Sequence, residues 1–294
     1  MTGRERVLHA LRGIRTERPA MGEILVAPEL TSKFSCAGLE RVLSRLGADI
    51  AVLHIEECPS TAPCAVSFIE AGYFVFGLGP GPFAILVREL GWIRACRLIV
   101  KDPLKVRRMI QTAAKATASW VALAQEGGCD GIIIADDLAG SCGLLVSPAS
   151  LKELYFPVLA DLLGKKGADS MPFIFHSDGN ILELIAPLME AGFRGIHGLQ
   201  PSAGITPEIL GLEKWKNRVF WGNFEYEGRE RLKSKEEVQA EIKGLLKRWA
   251  DFPGYIFGSS GGLYGALSPE TIEAAYEAVS SLHVTDTSVH LPTP

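Results

Sequence analysis

The chain has 294 residues, 47% of them apolar and 22% charged, with 30 basic and 34 acidic side chains for a net charge of -4. That is the composition of a globular protein with a large core, and it excludes the basic footprint of a nucleic-acid binder. The short basic clusters, Lys165-Lys166 and Arg229 to Lys235, are mixed with acids or sit on expected helix surfaces. No apolar run approaches the ~18 residues of a membrane span, and the opening Met1-Thr2-Gly3-Arg4-Glu5 has no signal-peptide core, so a cytoplasmic protein is expected. Six cysteines (Cys36, Cys58, Cys64, Cys96, Cys129 and Cys142) form no CxxC pair and are expected to be reduced and mostly buried.

Apolar runs and amphipathic segments alternate along the chain. Pro19 to Val26 is the first apolar run. Leu39 to Leu46 predicts a helix, with Leu39, Val42, Leu43 and Leu46 on one face. Ile50 to Ile55 is a second strand, and Pro80 and Pro82 in a glycine-rich stretch predict a loop. Asp102-Pro103 opens a long helix to about Gln125, closed by Gly127-Gly128. Gly131 to Ala135 is a buried-strand run, and Ser147-Pro148 caps a helix running to about Gly164.

Pro172 to Phe175 is the next strand, Ile181 to Ala191 a helix stopped by Gly192, and Gly195 to Leu199 a strand followed by a helix from Thr206-Pro207. Arg218 to Trp221 is a strand, and Ser234 with Glu237 makes a capping box. Tyr255 to Gly258 is the last strand, followed by a helix capped by Ser268-Pro269. Continuous apolar strands alternating with helices imply a parallel sheet covered on its faces. About eight such units in one chain predict a single-domain (β/α)8 barrel over residues 1–283, with a loose tail over 284–294. No GxGxxG follows the first strand, which argues against a dinucleotide fold.

In such a barrel the residues just past each strand converge on one rim. Those positions carry Glu56 and Glu57, Asp136 and Asp137, His176 to Asn180, Gln200, Asn223 and Glu225, and Ser259 and Ser260. Strand ends open into polar loops, so a capping or loop role stands beside a functional one for each. His54 and His197 lie inside apolar runs and read at least as well as satisfied core histidines. The sharpest group is His176-Ser177-Asp178-Gly179-Asn180. His176 and Asp178 are two apart and share a face if the strand continues. An imidazole beside a carboxylate suits a divalent metal or a proton-transfer pair equally, and Gly179 allows a tight turn or close ligand approach.

Several segments carry a family resemblance in order. Arg4-Glu5-Arg6-Val7-Leu8 through Arg18-Pro19 opens it, followed by Gly47-Ala48-Asp49 and the strand to Glu56. Asp136-Asp137-Leu138, Leu145-Val146-Ser147-Pro148 and Tyr155-Phe156-Pro157 continue it, and Phe175-His176-Ser177-Asp178-Gly179-Asn180, Gly222-Asn223-Phe224-Glu225 and Ser268-Pro269-Glu270 complete it. Together these segments resemble the uroporphyrinogen decarboxylase superfamily, which includes corrinoid-dependent methyltransferases and folds as a (β/α)8 barrel.

The decarboxylase pattern has an arginine-rich segment after the first strand. Here that stretch, Ala20 to Leu30, holds no arginine and two glutamates, which would repel a polycarboxylate. The resemblance is therefore nearer the methyltransferase branch. Thiol-methylating members hold zinc with a His-x-Cys pair and a later cysteine; here the pair is His176 and Asp178, and the later position falls near Gly261. A shell of imidazole and carboxylates suits an oxygen-donor substrate better than a thiol.

The resemblance thus implies a methyltransferase moving a methyl group between a small methylated substrate and the corrinoid of a separate partner protein. His176, Asp178 and Glu56 are expected to be catalytic and to ligate zinc, if zinc is bound. Asp136, Asn180, Gln200, Asn223 and Glu225 are expected to contact substrate. A carboxy-lyase and a non-catalytic ligand-binding barrel are the alternatives.

Overall fold

The computed structural model describes residues 1–34, 38–55, 61–168, 170–226, 234–264 and 267–282. Glu56, Glu57 and Cys58 lie outside the described residues, as does the tail from Val284. Eight strands form one parallel sheet: β1 (Ala20–Met21), β2 (Ile50–His54), β3 (Phe74–Pro80), β4 (Gly131–Ala135), β5 (Phe173–His176), β6 (Gly195–Gly198), β7 (Val219–Phe224) and β8 (Tyr255–Ser259). From β2 to β8 each strand pairs with the next in sequence, and β1 pairs with β8.

The seam between β1 and β2 is closed by Asp49, just before β2. Its N–H donates to the Met21 carbonyl (2.7 Å), and its carboxylate accepts from the Met21 N–H (2.9 Å). The same carboxylate takes Arg6 (2.7 Å) and Arg18 (2.7 Å), so a nearly buried charge has partners on every side. The strands thus close into a (β/α)8 barrel, as the alternating apolar pattern predicts.

Two apolar layers follow from the two-residue period of the strands. Inward residues such as Ile50, Val52, Phe74, Phe76, Ile133, Ile174, Trp221 and Ile256 fill the barrel, and Val7, Ala10 and Leu11 of helix α1 (Gly3–Leu11) join that inner cluster. Outward residues such as Met21, Val75, Ile132, Ile134, Phe173, Phe175 and Phe257 meet the surrounding helices in a second core.

Strand β3 falls where the glycines and prolines predict a loop. The reason is close packing: a Cβ at Gly77 would stand 2.8 Å from the Cβ of Ala124, and one at Gly79 2.8 Å from the ring of Trp120. Both partners lie on the long helix Pro103–Glu126, which covers β3. Pro80 ends the strand, and its carbonyl accepts from Thr117 Oγ1 (3.2 Å) and Trp120 Nε1 (3.0 Å). The helix expected from Ser147 to about Gly164 is two helices, Pro148–Leu154 and Phe156–Lys165, which break at Tyr155. Pro157 in the first turn of the second cannot donate back into the first. Of the cysteines whose side chains are described, Cys129 is buried, Cys96 half-buried and Cys142 exposed, so burial holds for one of these three.

Glu23, two residues past β1, is 2% exposed and reaches the helix Pro269–Ser280 that follows β8. It accepts from the Ser259 N–H (3.1 Å), from Ser259 Oγ and from Tyr276 Oη (2.9 Å). Burial pushes its carboxyl up to about 7, against the pull of those donors. An acid with a raised folded-state value stabilises the fold fully below its unfolded value and loses that contribution as pH rises through about 7. The E23Q variant is expected to remove a decline on the order of 3 kcal/mol between pH ~4.5 and ~7, read as a flatter profile of urea midpoint against pH. For the seam, Asp49→Ala leaves two guanidinium groups without their shared anion and is expected to cost about 3–5 kcal/mol in denaturant unfolding. A loss below ~1 kcal/mol would contradict the role given to Asp49.

Candidate active site at the barrel mouth

The site rests on strand register. Ala135 of β4 stands beside His176 of β5, His176 beside His197 of β6, and His197 beside Trp221 of β7. These positions form the top inward row, and the next inward positions, two residues on, are Asp137 and Asp178. The result is one cluster: Asp137, His176 and Asp178 each offer a donor atom, all within 4.8 Å of one another. Asp137 is exposed and the other two are half-buried. One imidazole and two carboxylates make a donor set suited to a divalent cation.

Local backbone contacts fix the loop that carries Asp178. Its N–H donates to Asp137 Oδ1 (3.0 Å). Ser177, facing the other way, accepts from the Leu138 N–H (3.1 Å) and donates to the Asp178 carbonyl (2.9 Å). Gly179 has φ +80°, and a Cβ there would stand 2.6 Å from the Gly140 carbonyl, so glycine is required. Its N–H donates to Gln200 Oε1 (2.6 Å). Asn180 donates its N–H to the Gly140 carbonyl (2.9 Å) and accepts from the Leu182 N–H (3.2 Å).

His176 and His197 meet through their Nδ1 atoms at 2.9 Å. His197 is fully buried, with the edge of Trp221 against its ring at 4.9 Å between centroids. Burial holds His197 well below the ordinary imidazole value, the neighbouring His176 adds to this, and the Ser259 backbone opposes it. His197 is therefore neutral. His54 donates through Nε2 to the Ile24 carbonyl (3.2 Å) and lines a cavity of about 280 Å³ with Leu78, Pro80, Ala84, Arg88 and Asp137. Asp137 thus belongs to both the cavity and the carboxylate–histidine cluster.

The two aspartates at the end of β4 part company. Asp136, read from the sequence as a substrate contact, is instead fully buried. Its oxygens accept from the Phe83 N–H (3.1 Å), the Ala84 N–H (2.5 Å) and Tyr155 Oη. Burial pushes its carboxyl up to about 7, held back by those donors. It anchors the start of the helix Pro82–Leu90 rather than a ligand.

Asn223 likewise turns inward, 2% exposed. It donates to the Leu199 and Ile205 carbonyls (both 2.8 Å) and accepts from Trp249 Nε1 (3.2 Å). Glu225 accepts from the Ser202 N–H (2.9 Å) and Oγ (2.5 Å), pinning the turn Pro201–Ala203. Gln200 and Asn180 stay beside the cluster as supports of its loop. Asp137 and His197 were visible as strand-end and in-strand polar residues, but only the closed barrel shows that they meet His176.

The family model for uroporphyrinogen decarboxylase (URO-D) matches residues 69–282. Comparison with curated proteins returns no match. Among solved structures, a methyltransferase from Methanosarcina mazei superposes with a TM-score of 0.75 at 16% identity, covering 95% of this chain and 98% of that one. D-psicose 3-epimerase superposes with a TM-score of 0.47 at 11% identity, covering 82% of this chain and 91% of that one. The first superposition repeats the fold over its whole length, and the family model spans most of the chain, including the cluster residues Asp137, His176 and Asp178. This chain belongs to the uroporphyrinogen decarboxylase family.

Proposed function

We propose that this protein is a methyltransferase that moves a methyl group between a small methylated compound and the corrinoid of a separate protein. The observation that carries the reading is the convergence of Asp137, His176 and Asp178 at the mouth, beside a cavity sized for a small ligand. The fold shared with the methanosarcinal methyltransferase supports it. Asp137, His176 and Asp178 would hold a zinc ion, which when bound would polarise the heteroatom that carries the methyl group. Glu56, two residues past His54, stays a candidate fourth donor on its sequence position alone.

The chain's own residues do the rest. Leu78, Pro80 and Ala84 give the cavity an apolar wall for a methylated carbon skeleton, while His54 and Arg88 offer polar groups to orient it. Asn180 and Gln200 hold the Asp178 loop, so the donors keep their spacing while substrate enters. Asp137, the exposed member, faces the open mouth, the side from which a corrinoid domain would approach.

The family's name admits decarboxylation of a porphyrinogen. Two carboxylates at the mouth and a cavity of about 280 Å³ oppose a bulky polycarboxylate. With a reduced free corrinoid as acceptor and a panel of methyl ethers and methylamines, the wild type is expected to form methylcorrinoid under anaerobic conditions. His176→Ala is expected to be slower by about 100-fold or more. Equal rates for the two proteins, or carbon dioxide release from a porphyrinogen, would overturn this reading.

A further inference from the structure

The ladder between β4 and β5 changes at the mouth. Ala135 stands beside His176, and the Asp136 N–H donates to the His176 carbonyl (3.0 Å), as parallel pairing requires. Continued in that register, the ladder would next join the Leu138 N–H to the Asp178 carbonyl and the Asp178 N–H to the Asp136 carbonyl. Neither bond is present among the described residues. Side chains take both places. The Leu138 N–H donates to Ser177 Oγ (3.1 Å), and Ser177 Oγ donates to the Asp178 carbonyl (2.9 Å). The Asp178 N–H donates to Asp137 Oδ1 (3.0 Å).

The groups themselves fix the direction of every bond. An amide N–H can only donate and a carbonyl can only accept, so the one hydroxyl proton of Ser177 goes to Asp178 and a lone pair goes to Leu138. Ser177 is fully buried, so its hydroxyl meets these two partners rather than solvent. Asp137 Oδ1 is likewise committed, which leaves Oδ2 without a hydrogen bond among the described residues.

A direct ladder bond would bring the Leu138 nitrogen and the Asp178 oxygen to about 2.9 Å. The hydroxyl stands between them instead and ties the two strand ends across a wider gap. Asp137 precedes one end of that relay, and Asp178 forms the other. Their carboxylates and the His176 ring offer donor atoms within 4.8 Å of one another, a spacing that one cation with bonds of about 2.0–2.2 Å can close.

We propose that Ser177 is a positioning residue. Its hydroxyl replaces a ladder bond between β4 and β5 and so sets the gap at which Asp137 and Asp178 face each other, with Asp137 Oδ2 the oxygen left for a cation. This deepens the metal reading given under Proposed function and rests on it for its purpose, but the tie between the strand ends is a property of the metal-free protein. Loss of an outer hydrogen-bonding group that supports metal ligands commonly changes metal affinity 10–100-fold.

The first test is amide hydrogen exchange, followed by ¹⁵N NMR, in metal-free wild type, S177A and S177T. Alanine leaves the Leu138 N–H without an acceptor and the Asp178 carbonyl without a donor. In S177A the amides of Leu138 and Asp178 are both expected to exchange about 10-fold or more faster than in wild type, whereas threonine, which keeps the hydroxyl, restores the protection. An Asp178 amide unprotected in wild type, or acceleration confined to Leu138, would mean that Ser177 satisfies one amide and sets no gap, and would overturn the proposal.

The second is zinc affinity by chelator competition for the same three proteins, with folding checked by circular dichroism. S177A is expected to bind zinc about 10–100-fold more weakly, with S177T recovering most of the loss. Equal affinity in wild type and S177A, or equal loss in both variants, would contradict a role for the hydroxyl in spacing the carboxylates. Should wild type bind no zinc, the metal reading falls, and the exchange of the Asp178 amide alone decides whether Ser177 sets the gap.

Discussion

Everything at the mouth depends on a closed parallel sheet whose residues alternate between two faces. Because the period is two, a strand that starts with an inward apolar residue keeps every second residue inward to its end and into the loop beyond. In β5 that rule carries Ile174, His176 and Asp178 toward the axis and leaves Phe175 and Ser177 to the outer side. A one-residue slip would exchange the two sets. The inner row is held in place by large apolar groups that admit no such slip, including Phe76 packed on Trp221 at 5.7 Å.

The same rule explains why neighbouring acids do different work. Asp136 and Asp137 differ by one position, so one enters the helix layer and the other the mouth. Asp136 meets backbone donors and Tyr155 in a dry place, which raises its proton affinity. Asp137 meets solvent and His176. Glu23 follows Asp136 in kind, a buried acid tied to Ser259 and Tyr276. Carboxyl groups thus divide between holding the barrel and furnishing its opening, and burial is what sorts them.

The fold was legible because apolar runs and caps repeat eight times with few exceptions. Capping by Ser147, Ser234 and Ser268 is present as the sequence predicts. β3 was hidden because its glycines answer to tertiary packing on Ala124 and Trp120, which local sequence cannot display. In the site, His176 and Asp178 stood out because they are two apart after a strong strand. Asp136, Asn223 and Glu225 share the rim in sequence, yet each is taken up by backbone groups that become neighbours only after folding. Asp137 and His197 entered for the same reason in reverse: their partners lie 39 and 21 positions away in the chain, and only register brings them together.

The metal shell proposed for Asp137, His176 and Asp178 is one imidazole and two carboxylates, with no thiolate. X-ray absorption at the zinc edge of the zinc-loaded protein tests it most directly. The account predicts a first shell of nitrogen and oxygen alone at about 2.0–2.1 Å, with the outer scattering of one imidazole, and loss of that imidazole signal in His176→Ala. A sulfur scatterer near about 2.3 Å, or an imidazole signal unchanged in His176→Ala, would contradict it.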